Sequence, residues 1–384
     1  MSKKSTTPTV FITGPVGMIG SQLVRLFLKE SDWNIYILLH ETASEMTLTD
    51  ILRSYCGIDE PEKYTDRVQR FHGSITKKHL GMSKDKYQHL IAEVTHILHC
   101  AASTQFDLPL SEARKINCDG TAEIIALAEK CSNLVHLGFL STVYVSGKRT
   151  GEIIETVKSE NSAGFANTYE QSKFEAEQLV ASRVDTLPVS IYRLSTVIGH
   201  SETGVVSHFT APHQTLRVMY LGLASMIPGT PEYTVDLIAS DYSATTIFKL
   251  FMAGASDELV FHIVSGKNKS YSLQEVIDKS YAALAEADPE WKAKQHPKPT
   301  IAPPESFSLF METAREANNP LLHNVLTALE SFAHQLNYPK SFSTRNTENV
   351  LPTYNEEVPH IQEYYQKVVL YCVKTGWGKK SQHG

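Results

Sequence analysis

The chain has 384 residues, 42% of them hydrophobic and 20% charged, proportions that give a soluble globular chain enough apolar material for one large domain and a smaller one. A formal net charge of −6 gives no electrostatic reason to expect nucleic acid or an anionic membrane as partner. Five cysteines (Cys56, Cys100, Cys118, Cys131 and Cys372), odd in number and without metal-ligand spacing, argue against a disulfide framework and for a reducing, cytoplasmic setting.

Residues 1–8 read as a disordered N-terminus, too short, polar and basic to be a signal peptide, and no run approaches the roughly 18 apolar residues of a membrane span. Val10–Thr13 then reads as a strand, and Leu23, Val24, Leu26 and Phe27 repeat at helical spacing over 17–30. Between them stand Gly14, Gly17 and Gly20. In that position Gly14 makes a tight turn, Gly17 lets the backbone approach a pyrophosphate, and Gly20 permits close helix–strand packing. The backbone of Thr13, Gly14, Val16, Gly17, Met18, Ile19 and Gly20 is therefore expected around the phosphates, at the positive end of the helix.

Further strands are predicted at Ile35–Leu39, Val68–Phe71, His96–Cys100, Leu134–Leu140 and Val189–Leu194, with helices at about 84–92, 110–131 and 168–183. This alternation predicts an α/β, doubly wound Rossmann-type parallel sheet, with ligands at the carboxyl ends of its strands. The dinucleotide-binding domain is placed at 9–199, with 234–265 contributing, and a mostly helical substrate-covering region at 200–384. Within that region, 292–304 reads as a proline-rich connector, 306–337 as a long helical pattern, 339–356 as a polar loop and 358–375 as a last helix.

Tyr169 and Lys173 lie four apart at the start of a helical segment, which puts an ammonium beside a phenol. That neighbour is expected to lower the phenol from its usual value of about 10 and make it a usable acid or base near neutrality. Tyr144 and Lys148 share the spacing but sit at what reads as a strand end, where it brings nothing together. Cys100 and Cys131 read as buried small hydrophobes, and His96-x-x-His99 falls on a strand with its side chains on opposite faces, so no metal is expected.

Together these segments resemble the extended short-chain dehydrogenase/reductase family. The resemblance is carried by Thr13-Gly14-x-x-Gly17-x-x-Gly20, His99-Cys100-Ala101-Ala102, Asn117 with Gly120-Thr121, Ser141-Thr142 and Tyr169-x-x-x-Lys173, over residues 9 to 265. Within the family the chain is most similar to reductase domains acting on acyl thioesters, as in fatty acyl-CoA and carboxylic acid reductases. Ile35–Leu39, Leu80-Gly81-Met82-Ser83, His99–Phe106 and Val235–Tyr242 carry that narrower likeness.

The resemblance implies Tyr169 as proton donor or acceptor, Lys173 on the nicotinamide ribose, Thr142 on the substrate carbonyl, and Asn117 holding a water beside Lys173. For Thr142 the competing reading is a hydroxyl that satisfies backbone at a strand end, and for Asn117 a helix cap. Ser74 and Ile75 fall near the adenine, although an Asp is usual where Ser74 stands; Ala101 and Ala102 also fall in the cofactor site. His40 replaces the Arg that meets an NADP 2′-phosphate, while Glu41 repels a phosphate and suits the ribose hydroxyl of NAD; the family's habit favours NADP. The expected substrate is a small-molecule carbonyl or acyl thioester, free or on a carrier. Tyr144 and the apolar residues Phe307, Leu309, Phe310, Met311, Leu321, Leu322 and Leu326 form either an acyl-chain tunnel or ordinary core. Two other functions share the motifs: a sugar-nucleotide epimerase or dehydratase with tightly bound NAD, and a non-catalytic dinucleotide-sensing regulator.

Overall fold

The computed structural model describes residues 7–40, 46–316 and 335–378, together with 326, 327, 329, 330 and 333. Expectations for residues 1–6, Glu41, Leu321 and Leu322 lie outside the described residues. Seven strands form one sheet: β1 (Thr9–Thr13), β2 (Asn34–Leu39), β3 (Val68–His72), β4 (His96–His99), β5 (His136–Thr142), β6 (Val189–Leu194) and β7 (Val260–Ile263). All pairings are parallel, in the order β7-β6-β5-β4-β1-β2-β3. The winding therefore reverses between β1 and β4, which opens a crevice at their carboxyl ends.

Both faces of the sheet are covered, so the inner strands β1, β4, β5 and β6 are buried throughout and mostly apolar, while edge strand β3 exposes Gln69 and Arg70. On one face Val10 and Ile12 pack with Leu23, Val24 and Phe27 of α1 (Gly20–Glu30) and with Ile247, Leu250 and Phe251 of α8 (Ser240–Ala253). On the other, Phe11 packs with Leu90 of α3 (Lys84–Glu93), Ile124 of α5 (Gly120–Ala128) and Ala176 of α6 (Thr168–Ala181). The sequence pattern missed α2 (Leu48–Ser54), a short helix set by the reciprocal cap of Thr47 and Asp50.

A third core grows from the end of β6. Thr196–Gly199 follows that strand and pairs with Leu237–Ala239. Ile198 and Leu237 then join α7 (Ala211–Tyr220), α9 (Leu273–Ala287) and the last helix, Ile361–Lys374. Phe307, Met311 and Leu326 sit in a small cluster of their own.

Three expectations fail here. The 292–304 stretch is more than a connector, because Thr300–Ala302 pairs with Met226–Pro228. The 339–356 stretch holds Lys340–Phe342, paired with Gly151–Ile153, and the helices Arg345–Val350 and Tyr354–Glu357. It is polar because its contacts are buried hydrogen bonds. The Thr347 hydroxyl donates to Glu155, and Asn346 Nδ2 donates to the carbonyls of Glu155 and Val260. Finally, Tyr144 lies past the end of β5 in a single 3₁₀ turn, Val143–Ser146.

Tyr354 ties this segment to the sheet. Fully buried, its hydroxyl accepts from Val264 N–H at 2.7 Å and donates to Val264 O at 2.8 Å. Tyr354→Phe strands both groups away from water and is expected to cost about 1–3 kcal/mol. Chemical denaturation checks this; a loss below about 0.5 kcal/mol would show that the bonds are dispensable.

Candidate active site at the carboxyl ends of the strands

Gly14 begins the crevice with φ +66°, a left-handed turn that glycine adopts without strain. A Cβ on Gly20 would lie 2.0 Å from Gly14 O, so Gly20 is required by the turn itself more than by the strand. A Cβ on Gly17 would meet only Gly14 O, at 3.3 Å. Val16, Met18 and Ile19 are half-buried, and the first turn of α1 carries no acidic side chain to cancel the helix's positive end.

The hydroxyl of Thr13 joins this turn to β4. Backbone N–H groups of Cys100 and Ala101 both donate to it at 3.1 Å, so its own proton goes to His99 Nδ1 at 2.8 Å. His99 Nε2 then carries the ring proton toward Thr121 Oγ1 at 3.2 Å, and Thr121 donates to Asn117 O at 2.6 Å. Burial, and then the Lys173 charge, push His99 down to about 3, consistent with a neutral ring relaying one direction of hydrogen bonding.

Asn117 occupies a π turn, Lys115–Asp119, that interrupts the expected 110–131 helix between α4 (Leu110–Arg114) and α5. It is no cap. Its Oδ1 accepts from Ser103 N–H at 2.8 Å, and its Nδ2 donates to Ser103 O at 3.1 Å and Ser172 Oγ at 2.9 Å. The side chain thereby fastens the 101–103 loop to α6.

α6 starts at an Asn167 cap whose side chain accepts from Glu170 N–H, and it presents Tyr169 and Lys173. Tyr169 is half-buried, neighboured by the Thr142 side chain and flanked by the Phe106 ring, centroid to centroid 5.3 Å. Thr142 also donates to Leu194 O at 3.2 Å and accepts from Tyr144 N–H at 3.3 Å, so it satisfies backbone while facing the phenol. Lys173 is 3% exposed, donates to Leu140 O at 2.8 Å and lies 4.2 Å from the Phe139 ring centroid.

The expected lowering of the phenol does not hold. Desolvation pushes Tyr169 up to about 12, opposed by the neighbouring Thr142 side chain, and the Lys173 ammonium is engaged at Leu140 O instead. Burial likewise brings Lys173 down to about 8. Cys100 is half-buried and Cys131 buried, and desolvation holds both thiols up at about 12. His40 lies exposed one residue beyond β2. Ser74 is buried with its hydroxyl at Thr76, and Ile75 packs where a Cβ on Gly120 would sit. His40 and Ser74 follow β2 and β3, and Ile75 reaches across to Gly120, just after the π turn of Asn117.

The sequence reading gave no role to Ser172, Ser141, Glu177 or Arg193. Two signals were there to read: Glu177 falls one helical turn after Lys173, and Arg193 is the one charge in the otherwise uncharged run of β6. Tyr144, also unassigned there beyond a tunnel, shares a hydrogen bond with Thr196.

The family model described as male sterility protein, an NAD-binding family, matches residues 12–247. A component of the linear gramicidin synthase of Brevibacillus parabrevis is 30% identical over 270 residues, 68% of this chain but 5% of that protein. The fatty acyl-CoA reductase wat of Drosophila melanogaster is 28% identical over 266 residues, 60% of this chain and 52% of that one. The match thus spans a small part of the first relative and about half of the second. The terminal R domain from the myxalamid PKS-NRPS biosynthetic pathway superimposes with a TM-score of 0.78 at 23% identity, covering 98% of this chain and 93% of that one. The Bordetella bronchiseptica enzyme WbmG, solved in complex with NAD, gives a TM-score of 0.61 at 16% identity and covers all of both chains. At such identities these two likenesses concern the fold.

The two glycines should separate in stability. Gly20→Ala forces backbone apart and is expected to cost about 1–3 kcal/mol, whereas Gly17→Ala stays within about 0.5 kcal/mol. Melting temperatures measured side by side decide it: equal losses would contradict the assignment.

Proposed function

This chain belongs to the NAD-binding family described as male sterility protein, and on that premise we propose that it is an NAD(P)H-dependent reductase of a carbonyl or acyl thioester. The support is one arrangement: the Tyr169 phenol neighboured by the Thr142 side chain, with Lys173 one turn away on the same helix, beside an open glycine turn. The residues present suit a dinucleotide. Gly14, Val16, Gly17, Met18 and Ile19 offer half-exposed backbone at an uncancelled helix N-terminus, which suits a pyrophosphate.

When bound, the nicotinamide supplies the hydride for the carbonyl carbon. Tyr169 gives its proton to the carbonyl oxygen, and a phenol held protonated up to about 12 is loaded as an acid at neutral pH, the state that reduction needs. Thr142 holds the same oxygen in place. Lys173 keeps two further N–H donors beyond the one at Leu140 O for the nicotinamide ribose. Asn117, through Ser103 and Ser172, fixes the distance between the 101–103 loop, with Ala101 and Ala102 toward the cofactor, and α6. The similarity to a linear gramicidin synthase supports an acyl thioester delivered on a carrier, and the similarity to a fatty acyl-CoA reductase supports a free one. NADPH is the preferred cofactor, with exposed His40 at the 2′-phosphate and Ser74 and Ile75 near the adenine.

Assays of NADPH consumption with aldehydes and acyl-CoAs test this reading. Tyr169→Phe is expected to lower turnover about 10²- to 10⁴-fold with nucleotide affinity unchanged; more than about a tenth of the wild-type rate would overturn the acid assignment. His40→Arg should tighten NADPH binding by roughly tenfold and leave NADH unchanged, since a fixed guanidinium matches phosphate better than imidazole. A wild type that prefers NADH, with the variant unaltered, would assign NAD instead.

A further inference from the structure

Glu177 has no part in the proton transfer described above, yet it is fully buried one turn beyond Lys173 on α6. A carboxylate in that position is retained only when paired. Arg193, 2% exposed in β6, donates to it from Nε at 3.0 Å and again through Nη2, and Ser141 Oγ donates at 2.7 Å from β5. The guanidinium is itself held: Nη2 donates to Thr156 O at 3.0 Å, and Nη1 faces His262 Nε2 at 3.3 Å. Arg149 lies close enough to feel both charges of the pair. Replacing such a pair with apolar residues is often neutral or stabilising, so stability alone does not account for it. Its placement does. Lys173 donates to Leu140 O while Glu177 accepts from Ser141, the next residue of β5, so the two side chains, one turn apart on α6, reach adjacent points of one strand.

The groups that face Lys173 come from four elements. His99 and Cys100 approach from the end of β4, Cys118 from the π turn, and Glu177 from α6 itself, with Phe139 and Leu140 O of β5 beneath. His99 is neutral, and burial holds both thiols up at about 12, so they bring no charge near neutrality. Among these described groups the counter-charge is Glu177.

We propose that Glu177, held in place by Arg193 and Ser141, is a positioning residue that keeps Lys173 in its ammonium form inside a site that otherwise expels charge. The inference rests on the reductase reading only for its effect on turnover. Burial is the main pressure on Lys173, and Glu177 leads the groups that oppose it. Losing an opposite charge disfavours the ammonium, so Lys173 sheds its proton at lower pH. Activity and nucleotide affinity that depend on the ammonium then fall earlier as pH rises.

The test compares wild type, Glu177→Gln, Glu177→Asp and the double variant E177Q/R193M, which avoids leaving a buried guanidinium unpaired should the single variant fail to fold. The titration of Lys173 is followed by its ¹³Cε resonance, assigned by loss of the signal in Lys173→Met, alongside the pH profile of NADPH-dependent reduction. Glu177→Gln and the double variant should lower the Lys173 midpoint by roughly one to two units, with the alkaline limb of the profile moving in step, and Glu177→Asp should restore most of it. An unchanged midpoint in a folded variant overturns the proposal. A wild type that reduces nothing while its Lys173 midpoint still responds to Glu177 overturns the reductase reading and leaves the pairing supported.

Discussion

The hydroxyl of Thr13 sits where the sheet reverses its winding, and the site is assembled around it. It accepts from two backbone N–H groups at the start of the 100–103 loop and gives its own proton to His99, its register partner on β4. That one group satisfies three polar neighbours in a place where an unpaired one would cost about 1–3 kcal/mol. It also orients the ring that reaches Thr121 and, through it, the π turn of Asn117. The glycine turn, the loop after β4 and the helix bearing Tyr169 are consequently one hydrogen-bonded unit.

Burial then decides the chemistry. The crevice lifts the Tyr169 phenol to about 12 and brings the Lys173 ammonium down to about 8. Both shifts follow from the same removal of water, which disfavours phenolate and ammonium alike and so moves the two values in opposite directions. The result suits a site proposed to donate a proton rather than to hold a phenolate. It also places a premium on the neighbouring carboxylate, since a lysine brought this low titrates close to the pH at which the chain would work.

Most of the sheet was legible in the sequence because strands covered on both faces are short apolar runs, and all six predicted strands lie within two residues of their observed bounds. The glycine turn and the Tyr169–Lys173 spacing were legible for a similar reason, each being local. What was not legible was set by distant partners. Residues 339–356 look like a loop because Asn346, Thr347 and Tyr354 are polar, yet their hydrogen bonds lie with Glu155, Val260 and Val264. The direction of the Tyr169 shift was misjudged because four-residue spacing gives proximity along a helix but not where an ammonium points. Arg193 was visible as a charge within a strand and Glu177 by its spacing from Lys173, and only the fold brings them together.

The central claim is net transfer of hydride from a dissociable nucleotide to an acyl or carbonyl carbon. Its most direct measurement uses NADPH deuterated at the transferable C4 position, an acyl-CoA and mass analysis of the product. The account predicts deuterium on the former carbonyl carbon, matched by release of oxidised nucleotide. An undeuterated product formed on nucleotide that copurifies with the protein and never leaves it would contradict the account and point to an epimerase or dehydratase.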